Sequence, residues 1–157
     1  MKQLLIAVLL VLVPATPALA DATAFIGATT TPANRTAKGL AIGMGLLIVG
    51  FEFEFSSTGE TPDEAAPSLR TGMGNVLLQT PIAIYRMQPY FTTGVGGYRE
   101  KLDTQSETSF GANTGGGVKI SLAGPIRARI DYRVFTLKGD PLHDTVHRVY
   151  AGLNLNF

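Results

Sequence analysis

Apolar and polar side chains alternate along most of this chain. From residue 22 onward the period is two, broken about every ten to twenty residues by Gly, Pro, Asn or Asp, and no stretch fits a helical period better. The pattern predicts strands over 22–31, 38–45, 47–57, 69–79, 87–99, 108–121, 126–137 and 147–157. Short turns fall near 45–46, 81–86 and 123–125, and longer polar loops near 34–35, 56–68, 100–107 and 138–147. The 56–68 loop carries Glu60, Pro62, Asp63, Glu64 and Pro67 and is expected to be the most mobile. Eight sequential strands joined this way predict an all-β fold, a single antiparallel up-and-down β-barrel.

Three strands show what the two faces carry. On the seventh, Ile126, Ala128, Ile130, Tyr132 and Val134 alternate with Arg127, Arg129, Asp131 and Arg133. On the third, Val49, Phe51, Phe53 and Phe55 alternate with Glu52 and Glu54. On the last, Val149, Ala151, Leu153, Leu155 and Phe157 oppose Tyr150, Gly152, Asn154 and Asn156. Alternation alone does not say which face is inside: a membrane barrel and a soluble carrier of an apolar ligand share the pattern with the faces exchanged.

In a bilayer the choice is forced, because an Arg facing lipid at mid-membrane costs about 2 to 4 kcal/mol. The charged face would then line a lumen that, with eight strands, is just wide enough for side chains to fill. Glu52, Glu54 and Asp131 are expected to neutralise Arg127, Arg129, Arg133 and Lys119 there, with forked guanidinium bonds, since buried ions are tolerated only when paired. Such a network excludes a wide channel.

The first twenty residues differ from the rest. Lys2, an apolar run over 4–13 and the small-residue site Ala18-Leu19-Ala20 have the form of a bacterial export signal, and the run is too short to span a bilayer as a helix. The expected division is a signal peptide, 1–20, and one barrel domain, 21–157. No later run is long enough for a transmembrane helix, so a membrane role requires a closed barrel. Cysteine is absent, which excludes disulfides, thiolate metal sites and a lipidated cysteine. Once Lys2 is removed, basic and acidic residues balance, and no nucleic-acid footprint remains.

The last strand, ending on Phe157, resembles the C-terminal strand of bacterial outer-membrane barrels. That resemblance implies recognition of Val149, Ala151, Leu153, Leu155 and Phe157 by the barrel-assembly machinery, with periplasmic chaperones acting before it. Residues 22–157 as a whole resemble the small eight-stranded barrels typified by the OmpA transmembrane domain. The run 117–125 leading into Arg129-Ile130-Asp131-Tyr132-Arg133, with Phe51-Glu52-Phe53-Glu54 upstream, is similar to an uncharacterised branch of such proteins. The resemblance implies a diderm outer membrane and a lipid-facing exterior, and no settled activity. No peptidoglycan-binding segment follows the barrel strands, so a cell-wall tether is not expected.

Other motifs reduce to structure. Residues 111–119 lack the Gly-Lys-Ser/Thr ending of a phosphate loop, and 94–97 lack dinucleotide spacing, so both read as glycine-rich strands. His143 and His147 have a zinc-compatible spacing on a helix, but Gly139 and Pro141 place them in a loop. Asn34-Arg35-Thr36 matches a glycosylation acceptor, which bacterial origin makes coincidental. Phe25, Phe55, Tyr85, Tyr90, Phe91, Tyr98, Phe110, Phe135 and Tyr150 are candidates for interfacial aromatic girdles. No nucleophile sits beside a base, so neither catalysis nor a cofactor is expected. The leading expectation is a structural or surface-interaction barrel with a charge-filled lumen and loops for an external partner. The alternatives are a narrow channel for small solutes or ions and the soluble carrier.

Overall fold

A computed structural model describes residues 19–157; the expected export segment lies outside them except for Leu19 and Ala20. Eight strands follow in sequence: β1 (Leu19–Thr29), β2 (Arg35–Leu46), β3 (Val49–Thr58), β4 (Ser68–Gln79), β5 (Met87–Leu102), β6 (Gln105–Ala123), β7 (Ile126–Leu137) and β8 (Thr145–Asn156). Each pairs antiparallel with the next. Pairing of β1 with β8, from Asp21 opposite Asn156 to Thr29 opposite Arg148, closes the barrel. Closure removes every exposed strand edge.

The 3₁₀ turn Pro62–Glu64 is the one helical segment among the described residues. It sits in the β3–β4 connection, where Thr61 and Ala66 exchange backbone hydrogen bonds and Ala66 is fully buried. The expected long loop at 100–107 is a correction. β5 and β6 continue pairing to Leu102 and Gln105, leaving Asp103-Thr104 as a two-residue turn with Asp103 in the left-handed region. Residues 105–109 pair only with β5, so the β6 arm of this hairpin projects beyond β7, while β4 follows β5 as far as Lys101.

Side-chain parity places the apolar face outside. Phe51, Phe53 and Phe55 of β3, Leu40, Ile42 and Met44 of β2, and Val149, Leu153 and Leu155 of β8 all point outward and are about half exposed. The opposite parity is buried and largely polar. Parity also corrects the aromatic girdle: Phe25, Tyr90, Tyr98, Phe135 and Tyr150 occupy inward positions and are buried, whereas Phe55, Tyr85, Phe91 and Phe110 are exposed. Proximity to a strand end does not decide which face a side chain takes; its odd or even position does.

Inward glycines make room for these large side chains. A β-carbon on Gly117 would clash with the Ile130 carbonyl and lie 2.5 Å from the Tyr90 hydroxyl. At Gly124, in the β6–β7 turn, φ of +53° itself favours glycine.

Candidate functional site

The interior is filled in three layers. Toward the longer loops, Leu69, Met73, Tyr98, Phe135, Leu137 and Val146 form an apolar cluster. A charged layer occupies the middle. Toward the short turns lies a cleft of about 370 Å³, with Asp21, Gln88, Lys119, Arg127 and Asn156 among its walls.

The charged layer follows from barrel geometry. In a closed ring of eight, β3 and β7 are four strands apart and face each other across the diameter. Glu52 and Glu54 from β3 therefore meet Arg129, Asp131 and Arg133 from β7. Arg133 pairs with Asp131 at 2.9 Å, Glu52 at 2.9 Å and Glu54 at 3.0 Å. Arg129 forks onto both Glu52 oxygens, one bond measuring 3.2 Å, and reaches Asp131 at 3.3 Å. Both guanidiniums are fully buried.

Arg148 of β8 completes the layer. It pairs with Glu54 and donates to the Ser56 hydroxyl at 2.7 Å. Three carboxylates thus face three guanidiniums, and the buried charges cancel. Aromatic rings seal the layer: Arg148 lies 4.7 Å from the Phe135 centroid and Arg129 4.9 Å from that of Tyr90. Phe25 stacks on Tyr150 with centroids 4.0 Å apart. Tyr90 donates to Asp131 and accepts from Arg129 Nε at 2.7 Å.

Two expected members lie elsewhere. Lys119 pairs with Asp21 at 2.5 Å, not with Glu52, Glu54 or Asp131, because β6 sets it at the short-turn end of the lumen, where it reaches across to β1. Arg127 donates to Gln88 at 3.2 Å and has no carboxylate partner. The next inward position of β3 toward that end is Gly50, which offers no acid. Sequence reasoning missed Arg148 and Asp21, since both fell at the margins of the expected strands. The alternation Val146, Arg148, Tyr150 was the signal that could have placed Arg148.

Beyond the lumen, His143 stays in the β7–β8 connection, but His147 belongs to β8, a correction to its expected loop position. It faces outward and shares a 2.7 Å hydrogen bond with the Tyr132 hydroxyl. Among the described residues no cluster of three or more His, Cys, Asp or Glu could hold a metal ion. The assembly-signal positions Val149, Ala151, Leu153 and Leu155 all face outward on β8, and Phe157 exchanges backbone hydrogen bonds with Ala20.

At the loop end, the β7–β8 connection docks on the projecting hairpin. Leu142 N–H donates to Glu100 at 2.9 Å, and Tyr98 donates to the Lys138 carbonyl at 2.6 Å. A cleft of about 410 Å³ between them is lined by Glu100, Glu107 and Asp140, among others. Burial raises the Glu100 carboxyl above its ordinary value; the Leu142 N–H, His143 and Arg35 partly offset this, and Glu107 adds to it.

No protein-family profile matches the sequence, and no curated protein is significantly similar to it. Solved structures do share its architecture. The N-terminal β-barrel domain of Pseudomonas aeruginosa OprF is 14% identical, with 88% of this chain and 97% of that one covered and a TM-score of 0.68. For Neisserial surface protein A the values are 14%, 89%, 96% and 0.66. For the outer membrane enzyme PagL they are 12%, 86%, 98% and 0.55. At these identities the likeness is one of fold.

Proposed function

The chain has the fold of the small eight-stranded outer-membrane β-barrels, and from that premise we propose that it is exported by a cleaved signal peptide and inserted in an outer membrane. There it acts as a closed barrel with a structural or surface-interaction role. The observation that carries this reading is the inversion of polarity: phenylalanines on the outside and fully buried, paired Arg129 and Arg133 within. A soluble carrier would need the reverse, with an apolar cavity inside. The cross-barrel ion pairs support a plug, because each lumen-spanning side chain is held by several partners at once.

The likeness to PagL gives the fold and does not carry that protein's activity to this chain. An interaction role draws on the loop end, where the projecting hairpin and the docked β7–β8 connection form a shaped polar surface.

The test is to refold the mature chain into bilayers, compare gel migration with and without boiling, and record planar-bilayer currents. Heat-dependent migration with no stepwise conductance is expected. A chain that stays soluble without detergent would sink the membrane reading; a reproducible open conductance would sink the plug.

A further inference from the structure

The outward face of β2 to β5 breaks its apolar pattern at the loop end. The pairing sets Lys38 opposite Ser57, Ser57 opposite Arg70, and Arg70 opposite Arg99, with Lys101 one outward position beyond on β5. These four cations are exposed, and among the described residues none of them forms a salt bridge. No outward position of β2 to β5 carries an acid. Elsewhere on the rim, the corresponding outward ends of β7 and β8 carry Thr136 and Thr145. Arg70, Arg99 and Lys101 line one groove of about 350 Å³ together with Ser57 and Ser68, the Ser68 hydroxyl donating to the Lys101 carbonyl.

The row beneath is equally distinctive. Toward the membrane, Leu40, Phe55, Gly72, Gly97 and Phe110 lie side by side on consecutive strands, and Gly74 follows Gly72 on β4. A shallow trough therefore opens over Gly72 and Gly74 of β4 and Gly97 of β5, flanked by Phe55 and by Phe110, which is 77% exposed, and bounded beyond Gly97 by the exposed Val95. The fold does not demand these glycines. A β-carbon on Gly72 would meet only Phe53 at 3.8 Å, on Gly74 only the Val95 carbonyl at 3.8 Å, and on Gly97 only the Ser109 carbonyl at 3.9 Å. Inward Gly94 and Gly96, by contrast, are hemmed in by backbone. None of the three trough glycines has positive φ.

Resting on the membrane-barrel reading, we propose that this sector is a binding site for an acylated lipid with a phosphorylated headgroup. Arg70, Arg99 and Lys101 hold the phosphate, and the Gly72–Gly74–Gly97 trough seats an acyl chain against the barrel wall. Guanidinium forks match phosphate oxygens, and the missing side chains let a hydrocarbon chain lie close to the backbone. Charge above and a smooth apolar channel below are the two halves that such an amphiphile presents.

Native mass spectrometry of the folded barrel in neutral micelles, titrated with dimyristoyl phosphatidic acid or with the phosphatidylcholine of the same chains, tests the site. Wild type is expected to prefer phosphatidic acid by at least tenfold. The R70Q/R99Q/K101Q variant is expected to lose that preference, and Gly97→Leu to weaken phosphatidic acid at unchanged charge. Both variants should keep the heat-dependent gel shift, because their side chains lie outside the lumen. Equal binding of the two lipids by folded wild type, full binding by the triple variant, or displacement by inorganic phosphate at lipid-like concentrations would overturn the proposal while leaving the barrel intact. Failure of wild type to fold into micelles would instead overturn the reading on which it rests.

Discussion

Individual charges inside this barrel matter in proportion to their shared partners. Glu52 holds both Arg129 and Arg133, so Glu52→Gln leaves two buried guanidiniums short of one negative charge. Breaking one side of a buried pair costs about 3 to 5 kcal/mol. The urea midpoint of the refolded variant should fall accordingly; an unchanged midpoint would mean that water or rearrangement neutralises the site. Gly117→Val should act on the same layer by steric means, displacing Tyr90 from its bond to Asp131. Of the charged residues picked out by alternation, Glu52, Glu54, Arg129, Asp131 and Arg133 lie in one layer. Lys119 and Arg127 share their parity but not their depth, and depth comes from strand stagger, which no local pattern records.

Strands and connections respond differently to change. Thr58 and Leu69 are paired, so joining β3 to β4 by an Asn-Gly turn in place of the intervening loop keeps the ladder intact. The heat-dependent gel shift should survive this truncation, and loss of insertion would count against a loop that serves only the surface. The β5–β6 hairpin carries a pH signature. Glu100 lies on the loop side of the apolar belt and has a raised carboxyl pKa. Its ionisation therefore costs stability fully above the folded pKa, and that cost vanishes below the ordinary carboxylate value. Glu100→Gln should have a higher urea midpoint than wild type at neutral pH, with the gap closing on acidification. A gap that widens in acid would reverse the assignment. A loop is expected at 100–107 because Glu100, Lys101, Asp103 and Glu107 weaken strand propensity, yet cross-strand pairing from Arg99 opposite Thr108 to Leu102 opposite Gln105 prevails over it.

On the proposed membrane reading, polarity sets a depth profile for the whole molecule. An Arg replacing outward Phe53 should cost about 2 to 4 kcal/mol at mid-bilayer, and one replacing Leu46 at the short-turn end about 0 to 1 kcal/mol. Equal costs at the two positions, measured by urea unfolding in lipid vesicles, would contradict a bilayer around this belt. On the same reading the Arg70 and Arg99 row is expected where lipid tails give way to headgroups. In a barrel of this size the lumen is filled by its own side chains, so a surface-interaction role as proposed would fall to the rim, the loops and the outer wall.

Strand number, strand parity and the antiparallel order follow from the sequence itself, because a period of two and turn residues are local properties of the chain. The charged face could be assigned to the lumen by solvation energy alone. Only the closed tertiary structure decided which acid meets which base. Glu52 and Arg129 are 77 residues apart, and Glu54 and Arg148 are 94 apart. Their meeting depends on the diameter of the ring and the stagger of its strands. The outer row of Lys38, Arg70 and Arg99 is likewise invisible along the chain: the three stand on different strands, and register alone sets them on one line.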